Sequence, residues 1–323
     1  MKILVTGSSG VAGSALKRID KEYPQHNFLY PTSRELDLLD WDQVVSFMER
    51  ERPEGIMHFA AVSGGIGLSI KHPAGMLRDN VRMTFNVLEA ARLYDVTKTV
   101  MTMSTGMYPA DAPLPLNEEW IHRGAPHWSN YGSSYAKRLI DPAVRAYREE
   151  YGLNVIGLVP NGMFGEGDNF NQEDAPMLPA LIRRCWENRH NADPIVVWGD
   201  GTPLREYTYA QDVARTFMWA FHNYDDAAPL NIGSTEEHSI GDIALMVVDM
   251  LGLDRNRLTF DRSKPNGIHR KGVDNSRFLA LSGYTYTPFR VGLERTVRWF
   301  CDTYETNPGA IRLHGKMHKG GVA

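Results

Sequence analysis

Hydrophobic and polar residues follow two different periods along the first half of the chain. Short apolar runs occur at KILVTG, GIMHFAA, KTVMTMS and NVIGLVP, and each predicts a buried strand of a parallel sheet. Segments with helical periodicity separate them, namely VAGSALKRIDKEY, WDQVVSFMERE, NVRMTFNVLEAARLYD and AKRLIDPAVRAYREEYG. Strands that alternate with helices predict an α/β fold with a Rossmann-type doubly wound parallel sheet.

The pattern changes after about residue 165. A loop rich in Gly, Asn and Asp leads to the helical segment MLPALIRRCWENR, and the strand segments PIVVWG and REYTYA flank the turn DGTP. Helical segments SIGDIALMVVDMLG and VGLERTVRWFCDTYE follow. We predict a Rossmann domain over residues 1–165, completed by later segments. A smaller α/β lid for substrate binding is predicted mainly over 166–315, with a flexible tail at 316–323.

Composition narrows the functional classes. Among 323 residues, 42% are hydrophobic and 23% charged, as in ordinary globular proteins, and the net charge of −4 argues against nucleic acid or an anionic membrane as partner. No apolar run is long enough to span a bilayer, and MKILVTG enters a strand without a signal-peptide pattern. Cys185 and Cys301 are far apart and in no metal-like spacing, so we expect no metal site and a cytoplasmic, reducing location.

A glycine-rich turn directly follows the first strand. VTGSSGVAG holds Gly7, Gly10 and Gly13, with Val11 opening the next helix. Glycines let the turn close tightly and let backbone N–H groups approach a pyrophosphate at the positive end of the helix. The pattern therefore predicts a dinucleotide site, to which we also assign Ala60; the alternative is an ordinary turn.

The segment after the second strand bears on the choice of cofactor. NAD sites place an acid there for the ribose 2′-hydroxyl, but YPTSRELDLLD has no acid before Glu35. Ser33 and Arg34 suit a 2′-phosphate instead, so NADP(H) is favoured. Alternatively, Arg34 is a solvated surface residue. Asp37 and Leu38, at the end of the next short strand, are expected to flank the adenine.

Several blocks together resemble one known family. HFAAVSGGIG, STGMYP, NYGSSYAKRLID, FGEGDNFN, LPALIRR, VWGDGTPLREYTY and NIGSTEEHSI are similar to GDP-L-fucose synthase, within the extended short-chain dehydrogenases. The resemblance implies an enzyme that epimerises C3 and C5 of a GDP-4-keto-6-deoxymannose and then reduces C4 with NADPH. It also implies a homodimer, packed through the helices of NVRMTFNVLEAARLYD and AKRLIDPAVRAYREEYG.

The resemblance also implies roles for individual residues. Ser104, assisted by Thr105, would hold the C4 oxygen, and Lys137 would be the active-site lysine that anchors the nicotinamide ribose. The predicted substrate contacts are Asn161, Met177, Arg184, Trp198, Arg205 and Lys271. Cations can share the charge of a diphosphate, and a tryptophan offers a flat apolar face. The alternatives are a core position for Trp198 and a solvated helix face for Arg184.

The chain departs from the family pattern where the sugar would lie. The family has a tyrosine four residues before the lysine, but this chain has Ser133. Gly106 stands for the family's cysteine, Pro176 for its histidine and Gly162 for its asparagine. Neither glycine nor proline has a side chain that can accept or donate a proton. Epimerisation by the family's route is therefore not expected.

The missing phenol leaves the proton donor open. A water held by Ser133 is one candidate, and Tyr131 is another because we expect it just before the helix, where its side chain can bend inward. Tyr135 lies about 200° round the helix from the lysine, and Tyr108 matches a structural aromatic of the family.

Three hypotheses follow. The first is an NADP(H)-dependent oxidoreductase acting at C4 of a GDP-sugar without epimerase activity. The second is a homologue that binds cofactor and nucleotide sugar without turnover, in a scaffolding or regulatory role. The third is a nucleotide-sugar epimerase in which a tightly bound cofactor oxidises and re-reduces the sugar.

Overall fold

The computed structural model describes residues 1–264, 266 and 268–313. The tail predicted at 316–323 lies outside the described residues, as do the last two positions of the predicted lid. In chain order, the strands of the described residues are β1 (Lys2–Thr6), β2 (Asn27–Leu29), β3 (Gly55–His58), β4 (Lys98–Thr102), β5 (Val155–Pro160), β6 (Gly162–Phe164), β7 (Ile195–Trp198), β8 (Leu204–Tyr209), β9 (Leu230–Ile232), β10 (Glu237–Ser239) and β11 (Leu258–Asp261).

The α-helices follow the predicted alternation in the first half and continue to the end of the described chain. In chain order they are α1 (Val11–Ile19), α2 (Trp41–Glu51), α3 (Ile66–Lys71), α4 (Pro73–Leu93), α5 (Tyr131–Arg138), α6 (Ile140–Tyr151), α7 (Met177–Glu187), α8 (Ala210–Asn223), α9 (Ile240–Met250), α10 (Ser276–Ser282) and α11 (Phe289–Thr306). Within the described ranges, no helix is both long and apolar enough to cross a membrane.

The main sheet has six strands in the order β2-β1-β3-β4-β5-β9. All of its pairs are parallel, with Ile3 opposite both Phe28 and Gly55 in the central register. One buried apolar cluster includes residues of α2, α4 and α6, and another includes residues of α1 and α8. The predicted α/β fold with a Rossmann-type doubly wound parallel sheet is therefore confirmed.

The second half builds two smaller sheets, in the orders β10-β8-β6 and β11-β7. Their apolar side chains join α7, α9 and α11 in a third buried cluster, which includes Phe164, Phe170 and Phe300. β9 returns from this region to pair with β5 in the main sheet. The chain boundary predicted at residue 165 stays a prediction.

Three local expectations are wrong. The helix expected from Ala136 is two helices separated at Leu139, because Pro142 has no N–H to donate to the carbonyl of Arg138. α4 begins at Pro73, seven residues before the predicted segment, because proline is well suited to the first turn. No strand includes Asp37, whose carboxylate instead accepts the backbone N–H of Leu39 in a tight turn.

Candidate active site

The loop between β1 and α1 packs so tightly that Gly7 and Gly13 have no room for a side chain. Gly7 has φ +71°, and a Cβ added there would lie 2.6 Å from the nitrogen of Ala60. A Cβ on Gly13 would lie 2.4 Å from the carbonyl oxygen of Gly7, which also accepts the N–H of Gly10 at 2.9 Å. No side chain caps the amino end of α1, which starts at Val11. This cradle fits the pyrophosphate of a dinucleotide.

The segment that follows β2 has its predicted phosphate ligands on the surface. Ser33 and Arg34 are exposed, and within the described residues the side chain of Arg34 forms no ion pair or hydrogen bond. Thr32 is held by the carboxylate of Glu35 through its N–H and its hydroxyl, both at 2.8 Å. Leu38 is buried in a core cluster. Contacts of these residues with a cofactor stay predictions.

The side chain of Lys137 reaches the carboxyl end of β4, two residues before Ser104. The ammonium of Lys137 donates to the carbonyl of Thr102 at 2.7 Å, and Thr102 is the last residue of that strand. Two residues later, the side chain of Ser104 accepts the N–H of Gly106 at 3.1 Å and so caps a short 3₁₀ turn. Thr105, in that turn, is buried. Ligands of doubly wound folds bind at this edge of the sheet.

The lysine has an unusual electrostatic position. Loss of hydration at this half-buried place lowers the pKa of Lys137 to about 8. Burial, and secondarily the charge of Lys137, lowers the pKa of His58 to about 3, so that imidazole is neutral. His58 instead shares a hydrogen bond of 2.8 Å with the hydroxyl of Thr6. The lysine ammonium is therefore the positive charge next to Ser104.

Tyr131 does not have the position that its proposed role assumed. It is the first residue of α5 with helical φ and ψ, so the expectation that it precedes the helix is wrong. Its ring is 46% exposed and packs edge-on against Tyr135, with ring centroids 6.4 Å apart. Lys137 lies six positions after Tyr131, which corresponds to a net helix rotation of about 240°. The geometry therefore gives Tyr131 no path to the lysine.

The hydroxyl of Ser133 is already engaged. It donates to the carbonyl of Asn130 at 3.1 Å, in the turn before α5. The next residue, Ser134, is 3% exposed and faces Gly106, and sequence reasoning missed it. Its spacing of three residues from Lys137 is the signal that could have identified it, since such residues share a helix face.

Asn161 ties three segments together. Its amide donates to the carbonyl of Ser234 at 2.7 Å and to the carboxylate of Glu206 at 3.3 Å, and its oxygen accepts from the hydroxyl of Thr208 at 2.6 Å. Glu206 also accepts the N–H of Val273 at 3.0 Å. A substrate contact by Asn161 stays a prediction.

Two cations lie together beside this network. Within residues 1–264, 266 and 268–313, the guanidinium of Arg205, on β8, donates only to the carbonyl of Leu204, and Lys271 comes from the segment before Val273. Burial and then the charge of Arg205 lower the pKa of Lys271 to about 8. Among the residues that the structure describes, neither forms an ion pair. Two half-buried like charges without an ion pair can attract an anion, and their contact with a substrate stays a prediction.

The remaining predicted substrate contacts differ in their exposure and in the bonds that their side chains already form. Trp198 is 61% exposed with Lys264 over its ring, which excludes the core position considered for it. Arg184 is not a freely solvated side chain, since its guanidinium donates to the carbonyl of Val196 on β7. Met177 begins α7, half-buried against the third cluster. Their contacts with substrate are untested.

Comparison with known proteins identifies the family. The model of the NAD dependent epimerase/dehydratase family matches residues 3–233. A GDP-L-fucose synthase of Dictyostelium discoideum is 33% identical over 309 residues, which cover 94% of this chain and 96% of that protein.

Solved structures agree with that assignment. A GDP-L-fucose synthetase from Naegleria fowleri bound to NADP superposes with a TM-score of 0.89 at 34% identity, covering 96% of each chain. A GDP-6-OMe-4-keto-L-xylo-heptose reductase from C. jejuni superposes with a TM-score of 0.85 at 26% identity, covering 94% of this chain and 98% of that one. This chain therefore belongs to the NAD-dependent epimerase/dehydratase family and, within it, to the GDP-L-fucose synthase family.

Proposed function

We propose that this chain is an NADP(H)-dependent oxidoreductase that acts at C4 of a GDP-(4-keto-6-deoxy)hexose or a related GDP-sugar, without C3/C5 epimerase activity. The observation that carries the proposal is the bond of Lys137 to Thr102, which fixes a cation beside Ser104. Gly106, two residues beyond that serine, has no side chain that can take a proton from carbon. The site keeps groups that can polarise a carbonyl. It has no side chain at Gly106 that could serve epimerisation.

The cofactor is NADP(H). When bound, the reduced nicotinamide supplies a hydride. The cradle of Gly7 and Gly13 fits the pyrophosphate, and the exposed guanidinium of Arg34 suits a 2′-phosphate. The related N. fowleri protein, which binds NADP, supports this choice.

The substrate is a GDP-linked sugar. Arg205 and Lys271 are the cations that we assign to its diphosphate, and the exposed ring of Trp198 offers an apolar face to the base or the sugar. The names of the matched D. discoideum and C. jejuni proteins support GDP as the nucleotide. The C. jejuni protein is a reductase of a 4-keto sugar, which supports reduction at C4.

Epimerisation at C3 and C5 needs groups that remove and return protons on carbon. The resemblance puts Gly106 and Pro176 at the two positions that carry such groups in the family, and Pro176 caps α7 without any polar side chain. Ser104 and Lys137 can hold an oxygen and stabilise its negative charge, but neither replaces a paired acid and base. The expected product keeps the configuration of C3 and C5.

We also propose a homodimer. Tyr131, Tyr135 and Leu139 are exposed apolar residues spaced by four along α5 and its junction with α6, and Leu77 is exposed on α4, which packs against α5. The resemblance to GDP-L-fucose synthase implies dimerisation through the same helices. An exposed stripe of this kind suits a second copy of the chain.

The proposal is tested by following NADPH absorbance with a panel of GDP-4-keto sugars. We expect oxidation of NADPH with at least one of them, slower than a phenol-bearing site would give. Arg205→Ala should raise the KM for the sugar nucleotide about tenfold or more, because one diphosphate cation is lost. Wild-type protein that binds NADPH and GDP but oxidises no NADPH would support the non-catalytic hypothesis instead.

A further inference from the structure

Two adjacent serines of α5 face Lys137, and they have different environments. Residues three and four positions before a lysine lie about 60° and 40° to either side of it on a helix. The hydroxyl of Ser133 donates to the carbonyl of Asn130 at 3.1 Å. Ser134 is 3% exposed, and its side-chain oxygen has no hydrogen-bond partner within the described residues. A hydroxyl without a partner on an otherwise buried residue is available to donate to a ligand and to accept from it.

The hydroxyl of Ser134 converges with that of Ser104. A Cβ built on Gly106 would lie 3.2 Å from the oxygen of Ser134 and 3.4 Å from the oxygen of Ser104. Both hydroxyls therefore border the space that a side chain at position 106 would fill. We call this space, bounded by Ser104, Gly106 and Ser134, the serine notch.

The serine notch is suited to an oxygen atom. A substrate oxygen that enters this space comes near both hydroxyls, as hydrogen bonds of roughly 2.7–3.0 Å require. Ser104 already accepts the N–H of Gly106 at 3.1 Å, which orients its oxygen and leaves its own hydrogen to donate. Ser134 can both donate and accept. The absence of a side chain at Gly106 keeps the notch open.

We propose that Ser134, and not Ser133 or Tyr131, is the α5 hydroxyl that contacts the reacting C4 oxygen and delivers its proton. The inference rests on the proposed reduction at C4. Ser104 holds the same oxygen from the other side of the notch, and Lys137 supplies the nearby positive charge. Ser134 is therefore a further catalytic residue of this site.

Each proton in the proposed step has a donor and an acceptor. As C4 accepts the hydride from the reduced nicotinamide, the electron pair of the C=O bond moves to the oxygen. The O–H bond of Ser134 breaks while an O–H bond to the C4 oxygen forms. The serine oxygen regains a proton from the ammonium of Lys137 through a water, and solvent reprotonates the lysine. A serine hydroxyl is a much weaker acid than a phenol, so proton delivery follows hydride transfer and the reaction is slow.

The two adjacent serines provide a matched pair of variants. Ser134→Ala and Ser133→Ala each remove one hydroxyl from the same turn of the same helix. We expect Ser134→Ala to lower kcat for NADPH oxidation by about 10²-fold, and Ser133→Ala to change it by less than about threefold. Melting temperature and NADPH affinity, measured on both variants, separate loss of chemistry from loss of folding.

The overturning outcomes are distinct. Full turnover by Ser134→Ala, or an equal loss in Ser133→Ala, would reject Ser134 as the donor. A wild-type protein without any NADPH oxidation would reject the proposed function. In that case a high-resolution crystal structure still tests whether the two hydroxyls of the serine notch bind an oxygen atom. An ordered water within about 3.2 Å of both hydroxyl oxygens supports it, and a Ser134 hydroxyl bonded back to a helix carbonyl overturns it.

Discussion

Lys137 carries its charge where water reaches it poorly. Its bond to Thr102 fixes the ammonium at the end of β4, and burial lowers its pKa to about 8. Ser104, the neutral His58 and the hydroxyl of Ser134 are its polar neighbours along this edge. A single cation among neutral groups can stabilise a developing oxyanion strongly. Under the proposed function, we expect activity to depend on the protonation state of Lys137.

This arrangement predicts a falling rate at high pH. The charged ammonium is present below a pH of about 8 and is lost as pH rises through that value. We expect kcat for NADPH oxidation to decline over the same range. Lys137→Met should lower kcat by about 10²-fold or more, and its residual rate should lack the decline. A wild-type rate that stays constant up to pH 10 would contradict this role.

At the scale of elements, the β1–α1 connection is determined by backbone contact and not by side chains. Gly13 is the position where α1 passes closest to the carbonyl of Gly7, with only 2.4 Å available to a Cβ. Because backbone atoms cannot move aside as a flexible side chain can, any side chain there must displace the helix. The cofactor cradle keeps its shape only if α1 stays in this position.

We therefore expect Gly13→Ala to weaken NADPH binding by tenfold or more and to lower the melting temperature. Gly75→Ala is the matched control, because Gly75 is also near the start of a helix and a Cβ there meets no atom within 4 Å. The control should retain affinity and gain about 0.5–1 kcal/mol of stability. Isothermal titration with NADPH measures the first effect and thermal unfolding the second. Equal affinities in the two variants would refute the account of the cradle.

Local patterns predicted the elements whose signals lie within one segment. The glycine spacing and the strand KILVTG belong to one such segment, and their fold class is confirmed. The pairing of β9 with β5 and the bonds of Glu206 to Asn161 and Val273 join residues 45 or more positions apart. No spacing rule reports such contacts. The start of α5 was misplaced because Tyr131, in a Gly- and Ser-rich stretch, gives no clear capping signal.

At the scale of the whole molecule, Glu206 on β8 joins the residue between β5 and β6 to the segment that precedes α10. Its carboxylate is 7% exposed and accepts bonds from Asn161 and Val273. Burial, opposed in part by these bonds and reinforced by Glu237, raises the pKa of Glu206 to about 7. The folded state therefore holds a proton that the unfolded state releases near pH 4.5.

The sign of the effect is a loss of stability as pH rises from about 4.5 to about 7. Over that range the folded protein retains the proton on Glu206 and the unfolded chain does not, which amounts to about 3 kcal/mol at most. Glu206→Gln keeps an acceptor for Val273 and cannot ionise, so its stability should vary less with pH. Urea unfolding at pH 5 and pH 8 measures this, with the exposed Glu149→Gln as control. Equal pH dependence in wild type and Glu206→Gln would contradict it.

The exposed stripe on α5 and α6 makes a separate prediction about assembly. We expect the wild-type chain to elute as a dimer in size-exclusion chromatography with light scattering. Tyr135→Glu and Leu139→Glu should each shift it toward the monomer, because a charge would be buried at the interface. The exposed Glu149→Gln change should not. A wild-type monomer at micromolar concentration would reject the proposed dimer.

The most direct test of the central claim is the fate of the hydrogens on the sugar. GDP-4-keto-6-deoxymannose and NADPH are incubated with the protein in D₂O, and the product is examined by NMR. Because Gly106 and Pro176 offer no proton-carrying group, we predict reduction at C4 with the original hydrogen retained at C3 and C5. Enzyme-dependent deuterium at C3 or C5 of the product, or inverted configuration there, would contradict the account.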